Sequence, residues 1–162
     1  MLFRSQEKAA RTVEYLKERF PEKNQGWLNL GIAGHGTMEI GRMFVAGRIL
    51  RFGKQEVFHP PQVYHLNTQI SELTTSDAPV HDYEKNMGYD MEAHGFYKAA
   101  CEASTRELVQ VLKIVSDNPE SPLSDFRPQK ATRLIEQNME RIDKWIEAIE
   151  LASEEIKPCA MI

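Results

Sequence analysis

Residues 108–115, with the sequence LVQVLKIV, constrain the fold of this 162-residue chain more than any other segment. Apolar side chains occupy nearly every position, and they do not alternate with polar ones. A strand with one face in water alternates, whereas a strand covered on both faces is apolar almost throughout. The segment therefore predicts a buried strand with other elements packed on both of its sides.

Helix-like and strand-like patterns alternate along the rest of the chain. Apolar residues that recur every three or four positions predict helices over residues 5–20, 91–105 and 128–156. Shorter apolar runs predict strands at 27–33 and 42–50, a loop or hairpin at 52–61, and one or two short strands within 62–75. This order predicts an α/β fold, a three-layer α/β/α sandwich around a central mixed sheet.

Length and composition limit the class of protein. With 41% hydrophobic residues the chain can bury one ordinary core, so we predict a single domain over residues 1–162. A formal net charge of −4 without a basic cluster argues against nucleic acid as a partner. No apolar run approaches the roughly 18 residues of a membrane span, and the N-terminus lacks the apolar core of a signal peptide. We therefore expect a cytoplasmic protein without membrane contacts.

The spacing of cysteine and histidine residues predicts neither a metal site nor a disulfide. Cys101 and Cys159 form no metal-binding pattern, and two cysteines in a chain of this length suggest a reducing compartment. The five histidines are dispersed along the chain. We expect no metal and no cofactor.

Three short motifs hold the residues that are candidates for chemistry. Residues 29–36 (NLGIAGHG) form a glycine-rich turn whose spacing fits neither a dinucleotide-binding nor a phosphate-binding loop. Asp90-Met91-Glu92-Ala93 places acids at a predicted helix start, where the helix dipole favours them. Residues 116–118 (Ser-Asp-Asn) favour a turn, but they also follow a buried strand, where open α/β sheets bind ligands.

The order of these motifs resembles the purine nucleosidase and nucleoside phosphorylase family, in its methylthioadenosine/S-adenosylhomocysteine nucleosidase-like form. The glycine turn resembles the family's Asn-x-Gly-x-Ala-Gly turn, and the similarity extends over residues 9–118. The resemblance implies a nucleoside phosphorylase-like fold and a nucleoside substrate. It also implies that Ala33 and Gly34 belong to the loop that lines the substrate pocket.

The resemblance implies a role for each of three further residues. Glu92 would accept hydrogen bonds from the ribose hydroxyls, and Met91 would pack on the sugar. Asp117 would be the general acid that protonates the purine N7 as the glycosidic bond breaks, a contribution typically of about 10²–10⁴ in rate. One helix and one strand separate the two acids, so we expect both at the same edge of a parallel sheet.

The motifs leave open whether the nucleophile is water or phosphate. Phosphorylases of the family usually have an arginine in the strand before the glycine turn, but no arginine lies between Arg19 and Arg42. Phosphate needs positively charged donors, so water is favoured and the expected activity is hydrolysis. A phosphate-dependent phosphorylase and a non-catalytic nucleoside-binding protein remain alternatives.

The chain departs from the family at its beginning and before the second motif. The family's first strands, with the acid that activates water, have no counterpart, so the domain is N-terminally incomplete relative to the family. The uncovered sheet edge predicts a homo-oligomer. Ile32 replaces a small hydroxyl residue, and the segment that supplies an aromatic to stack on the base is short. Candidates for that aromatic are Phe58, Tyr83 and Tyr89.

Overall fold

The structure is a computed structural model, and it describes residues 5–156. The helices are α1 (Ser5–Arg19), α2 (Ala93–Ala103), α3 (Pro128–Glu136) and α4 (Met139–Glu155). The strands are β1 (Trp27–His35), β2 (Met43–Arg51), β3 (Val57–Phe58), β4 (Gln69–Thr75), β5 (Met87–Asp90) and β6 (Val109–Asp117). Single turns of 3₁₀ helix lie at Arg106–Leu108 and Leu123–Asp125.

The strands form one mixed sheet in the order β3-β2-β4-β5-β1-β6. β1 and β6 run parallel from the pair Trp27 and Val109 to the pair Gly34 and Asp117. β6 also pairs antiparallel with the start of β2, so the sheet closes on itself. The carboxyl ends of β1 and β6 therefore lie side by side. β5 runs antiparallel to β1, whereas β6 runs parallel to it, so the expectation that the two acids follow parallel strands is wrong.

Apolar side chains cover both faces of the sheet. One core cluster joins the sheet to α1 and α2 and includes Phe44, Phe96 and Tyr97. The other joins the sheet to α3 and α4 and includes Leu112 and Trp145. Every residue of β6 is buried, as its continuous apolar run predicted. The predicted three-layer α/β/α arrangement is confirmed.

The prediction of one long helix over residues 128–156 is wrong, because the chain breaks between α3 and α4. The buried Asn138 lies at this break, where its Nδ2 donates to the carbonyl oxygens of Leu134 at 2.9 Å and Gly41 at 3.2 Å. Gly41 is 97 positions away in the sequence. Helical periodicity is a local pattern, so it contains no information about this contact.

The helix predicted over residues 91–105 is present as α2, but it begins at Ala93 and is preceded by the unpredicted strand β5. β5 has only four residues, with the sequence MGYD, and such a segment is too short to show alternation. It is a strand because β4 and β1 pair with it on its two sides. Asp90 therefore ends a strand, and Met91 and Glu92 lie in the turn before the helix.

A buried ion pair joins β6 to the end of β5. Lys113 Nζ lies 2.9 Å from Asp90 Oδ2, and the two side chains are 1% and 2% exposed. The Asp90 carboxylate also accepts hydrogen bonds from Thr75 Oγ1 at 2.7 Å and from the N–H of Ala93 at 2.9 Å. Gly31 leaves space for the lysine, since a Cβ there would lie 3.2 Å from Nζ. The pair thus fixes the start of α2 relative to β6.

Two further sequence-based expectations concern the cysteines and membrane-spanning segments. Cys101 is a free, half-buried thiol, whereas Cys159 lies outside the described residues. Within residues 5–156, no helix is long and apolar enough to span a bilayer.

We expect Lys113→Met to lower the free energy of unfolding by about 3–5 kcal/mol, because it leaves the Asp90 carboxylate buried without its cation. Urea titration measures this loss. The matched control is Lys98→Met, which breaks the ion pair with Glu56, where the side chains are 55% and 40% exposed. The control should lose less than about 1 kcal/mol. Equal losses in the two variants would contradict a structural role for the buried pair.

Candidate active site

A cavity of about 300 Å³ lies at the carboxyl ends of β1, β5 and β6. Its other walls are the β4–β5 loop, which supplies Tyr83, and the turn before α2. The five residues predicted for the site all line this one cavity: Ala33, Gly34, Met91, Glu92 and Asp117. A larger open cleft, of about 750 Å³, lies near His35 and Arg42 and contains none of them.

Gly34 has no side chain, which allows Asp117 and Tyr83 to approach the backbone of β1 closely. A Cβ at this position would lie 2.6 Å from Asp117 Oδ2 and 2.9 Å from the Tyr83 hydroxyl oxygen. The register between β1 and β6 also shifts here, because Ala33 pairs with Val115 whereas Gly34 pairs with Asp117. Such an irregularity redirects side chains at the end of a strand. The structure places Gly34 within β1 and not in the predicted turn, and the absence of a side chain there brings Asp117 and Tyr83 against this strand.

Asp117 is the last residue of β6 and is only 3% exposed. Its Oδ1 accepts a hydrogen bond from Ser116 Oγ at 2.5 Å, and its Oδ2 accepts one from the Tyr83 hydroxyl. Ser116 is itself buried and contacts the carbonyl oxygen of Ala33 at 3.3 Å. Both carboxylate oxygens therefore have hydroxyl partners within the protein.

Tyr83 remains a hydrogen-bond donor over the whole physiological pH range. Burial of the side chain, together with its bond to the Asp117 carboxylate, raises the pKa of the Tyr83 hydroxyl well above its ordinary value. Its ring packs against that of Tyr89, with the centroids 5.4 Å apart and the planes tilted by 32°. No local sequence pattern indicates the bond to Asp117, because 34 positions separate the two residues.

Met91 and Glu92 reach the cavity from the turn between β5 and α2. Glu92 is exposed and Met91 is half-buried. The N–H groups of Glu92 and Ala93 lie 3.4 Å and 2.9 Å from Asp90 Oδ2, so the buried carboxylate orders this turn. One signal for this arrangement was present in the sequence. Lys113 is the one charged residue within the largely apolar run at 108–115, and a buried charge needs a partner.

The aromatic candidates for stacking on a base have different positions. Tyr83 and Tyr89 line the cavity. Phe58 does not, and its proposal as a candidate is wrong. Its ring packs on His94 and Tyr97, with centroid separations of 4.9 Å and 5.4 Å. Because β3 pairs with β2, Phe58 lies against α2 and away from the end of β6.

Negative charge dominates the cavity. Asp90, Glu92 and Asp117 contribute carboxylates to its walls, whereas no lysine, arginine or histidine within residues 5–156 lines it. Lys113, which is not part of the lining, offsets the charge of Asp90, so Glu92 and Asp117 are the acids without a cation partner in the described ion pairs. Such a site favours a neutral or cationic ligand with hydroxyl groups that can donate hydrogen bonds.

Replacing Tyr83 with Phe should weaken the loss of stability at alkaline pH. Tyrosine ordinarily titrates near pH 10. Above that pH the unfolded chain loses the Tyr83 proton while the folded protein retains it, so the free energy of unfolding falls as pH rises. The measurement is urea unfolding of wild type and Tyr83→Phe between pH 8 and pH 11. The variant should show the smaller slope, and identical slopes would contradict the raised pKa of Tyr83.

No family model and no curated protein matches the chain. Solved structures do match. The chain is 14% identical to futalosine hydrolase of Helicobacter pylori, with a TM-score of 0.63, over 90% of this chain and 75% of that one. It is 18% identical to the S-adenosylhomocysteine nucleosidase of Streptococcus pyogenes in complex with 5-methylthiotubericidin, with a TM-score of 0.59, over 96% and 77% of the two chains.

A third similar structure is the 5′-methylthioadenosine/S-adenosylhomocysteine nucleosidase of Colwellia psychrerythraea in complex with adenine. It is 18% identical, with a TM-score of 0.58, and the match covers 75% of this chain and 66% of that one. The chain thus spans two thirds to three quarters of the length of these proteins. At such identities the likeness establishes the fold. The chain has the fold of the methylthioadenosine/S-adenosylhomocysteine nucleosidases and futalosine hydrolase, the fold that the resemblance in its motifs predicted.

Proposed function

We propose that this protein is a purine nucleosidase, which uses water to cleave the N-glycosidic bond of a purine nucleoside. The principal support is that the side chains of Glu92 and Asp117 line one cavity, although one helix and one strand separate them in the sequence. The cavity volume of about 300 Å³ is at the lower end of the range of about 300–1,000 Å³ for small-molecule sites.

Asp117 is proposed as the general acid. When the bond between the sugar C1′ and the purine N9 breaks, its electron pair passes to the base, which leaves poorly as an anion. A proton from the Asp117 carboxyl group to N7 makes the leaving base neutral. Water then adds to C1′ and releases a proton to the solvent, from which Asp117 regains the proton that it gave, and the products are free purine and free ribose. Asp117 lies at the end of a buried strand, and its side chain lines the cavity into which the base would enter.

Glu92 and Met91 are proposed to bind the sugar. The Glu92 carboxylate is exposed to the cavity and can accept hydrogen bonds from two ribose hydroxyls, each worth about 1.5–3 kcal/mol. Met91 supplies an apolar surface beside it. Ala33 and Gly34 are proposed to form the wall of the cavity near the sugar.

The charge of the cavity supports hydrolysis over phosphorolysis. Phosphate carries negative charge and is bound through Arg, Lys or backbone N–H groups. Three carboxylates line the cavity, and no basic side chain does so among the residues that the structure describes. Water has no such requirement. The similar structures bear the names of nucleosidases and of a hydrolase, which agrees with this choice.

A second candidate function is nucleoside binding without catalysis. The observation that favours it is Ile32, which lines the cavity beside Ala33 and has no group able to orient a water molecule.

The predicted self-association and the cytoplasmic location also stay predictions. For self-association the relevant feature is β1, whose residues 28–32 pair with β6 alone among the described strands.

We expect the purified protein to release free base from adenosine or inosine in phosphate-free buffer, and Asp117→Asn to lower kcat by about 10² or more. The asparagine cannot donate a proton in place of the carboxyl group. Base release is measured by chromatography. The matched control is Asp143→Asn, which changes an exposed carboxylate on α4, and it should retain wild-type turnover.

Three results would count against nucleosidase activity. Full turnover in Asp117→Asn would show that Asp117 is not the general acid. Turnover that strictly requires phosphate would select the phosphorylase. Binding of nucleoside without release of base would select the non-catalytic alternative.

A further inference from the structure

The acid proposed for catalysis is not free to meet a substrate. Asp117 accepts a hydrogen bond from Ser116 at one carboxylate oxygen and from Tyr83 at the other. Its side chain is buried, and the Tyr83 ring lies against Gly34 on the cavity side. A base that enters the cavity therefore has to replace one of these two hydroxyl groups before it can form a hydrogen bond with Asp117.

Of the two partners, Tyr83 is the one that can leave. Ser116 belongs to β6, is 1% exposed and also contacts the Ala33 carbonyl oxygen. Tyr83 belongs to the loop between β4 and β5, is half-buried, and has exposed neighbours on both sides. The loop is anchored just after it, because the N–H of Glu84 donates to the Tyr89 hydroxyl at 3.1 Å. Rotation of the Tyr83 side chain is therefore sufficient to release Asp117.

We propose that Tyr83 competes with the purine base for Asp117 and that a substrate enters the site by displacing its hydroxyl group. This inference rests on the proposed function. Tyr83 is the donor to Oδ2 of this buried carboxylate, whereas Ser116 Oγ donates to Oδ1. Leaving Oδ2 without a donor is costly, so a ligand that displaces the tyrosine has to replace its hydrogen bond.

The competition between Tyr83 and a ligand for Asp117 determines which class of ligand can bind. A successful ligand must offer Asp117 a hydrogen bond that replaces the one from the phenol. It must also offer a flat surface to Tyr89, since the Tyr83 ring now packs there. A heteroaromatic base with a ring N–H meets both requirements, because the N–H donates to the Asp117 carboxylate and offset stacking of aromatic rings is favourable. A free sugar offers no ring for Tyr89 and should not displace Tyr83.

The test compares wild type with Tyr83→Phe, which removes only the competing hydroxyl. The probes are adenine and hypoxanthine, with binding measured by calorimetry, together with the kinetics of base release from adenosine and inosine. The phenylalanine variant should bind the better of the two bases about tenfold more tightly, the factor expected when a hydrogen bond to a charged group no longer opposes binding. KM should fall by a similar factor, and the change in KM should exceed any change in kcat.

The control is Tyr15→Phe, which removes the hydroxyl of a 63% exposed tyrosine on α1 and should leave the affinity for both bases unchanged. Equal or weaker base binding by Tyr83→Phe overturns the competition. A fall in kcat with unchanged KM does so as well, because it would show that Tyr83 positions Asp117 during the reaction. If neither base binds to wild type or to the variant, the proposed function itself fails.

Discussion

The buried ion pair between Lys113 and Asp90 links the fold to the candidate site. Taking two charges out of water is costly, and a buried pair rarely adds net stability over a well-packed apolar pair. The effect of the Lys113–Asp90 pair is to fix β6 and the end of β5 relative to each other. Asp117 follows Lys113 by four residues on the same rigid strand, and Glu92 follows Asp90 by two. One contact at 2.9 Å therefore sets the positions of both carboxylates that face the cavity.

The two acids have different surroundings, and the difference suits different tasks. Glu92 lies exposed in a turn, where a charged carboxylate can accept hydrogen bonds from sugar hydroxyls. Asp117 is buried, is bonded to two hydroxyl groups, and lies beside Gly34, where no side chain intervenes. Two carboxyl groups in unlike environments are a frequent basis for the division between binding and proton transfer.

Sequence patterns predicted the features that depend on local periodicity. The apolar run at 108–115 became the fully buried β6, and the order of three motifs was sufficient to place their residues around one cavity. The features that were missed depend on distant partners. β5 exists because β4 and β1 pair with it, and the break before α4 holds Asn138, which bonds to Gly41. The contact of Tyr83 with Asp117 likewise joins a loop to a strand end, and no local sequence pattern indicates such a long-range contact.

The most direct measurement is a crystal structure of the protein grown with a purine C-nucleoside, in which a carbon–carbon bond replaces the bond that water would cleave. The ribose hydroxyls should lie within hydrogen-bonding distance of Glu92, and the base should contact Asp117 with the Tyr83 hydroxyl moved away. A nucleoside bound in the open cleft near His35 and Arg42, with the cavity at Asp117 empty, would contradict the assignment of this cavity as the substrate site.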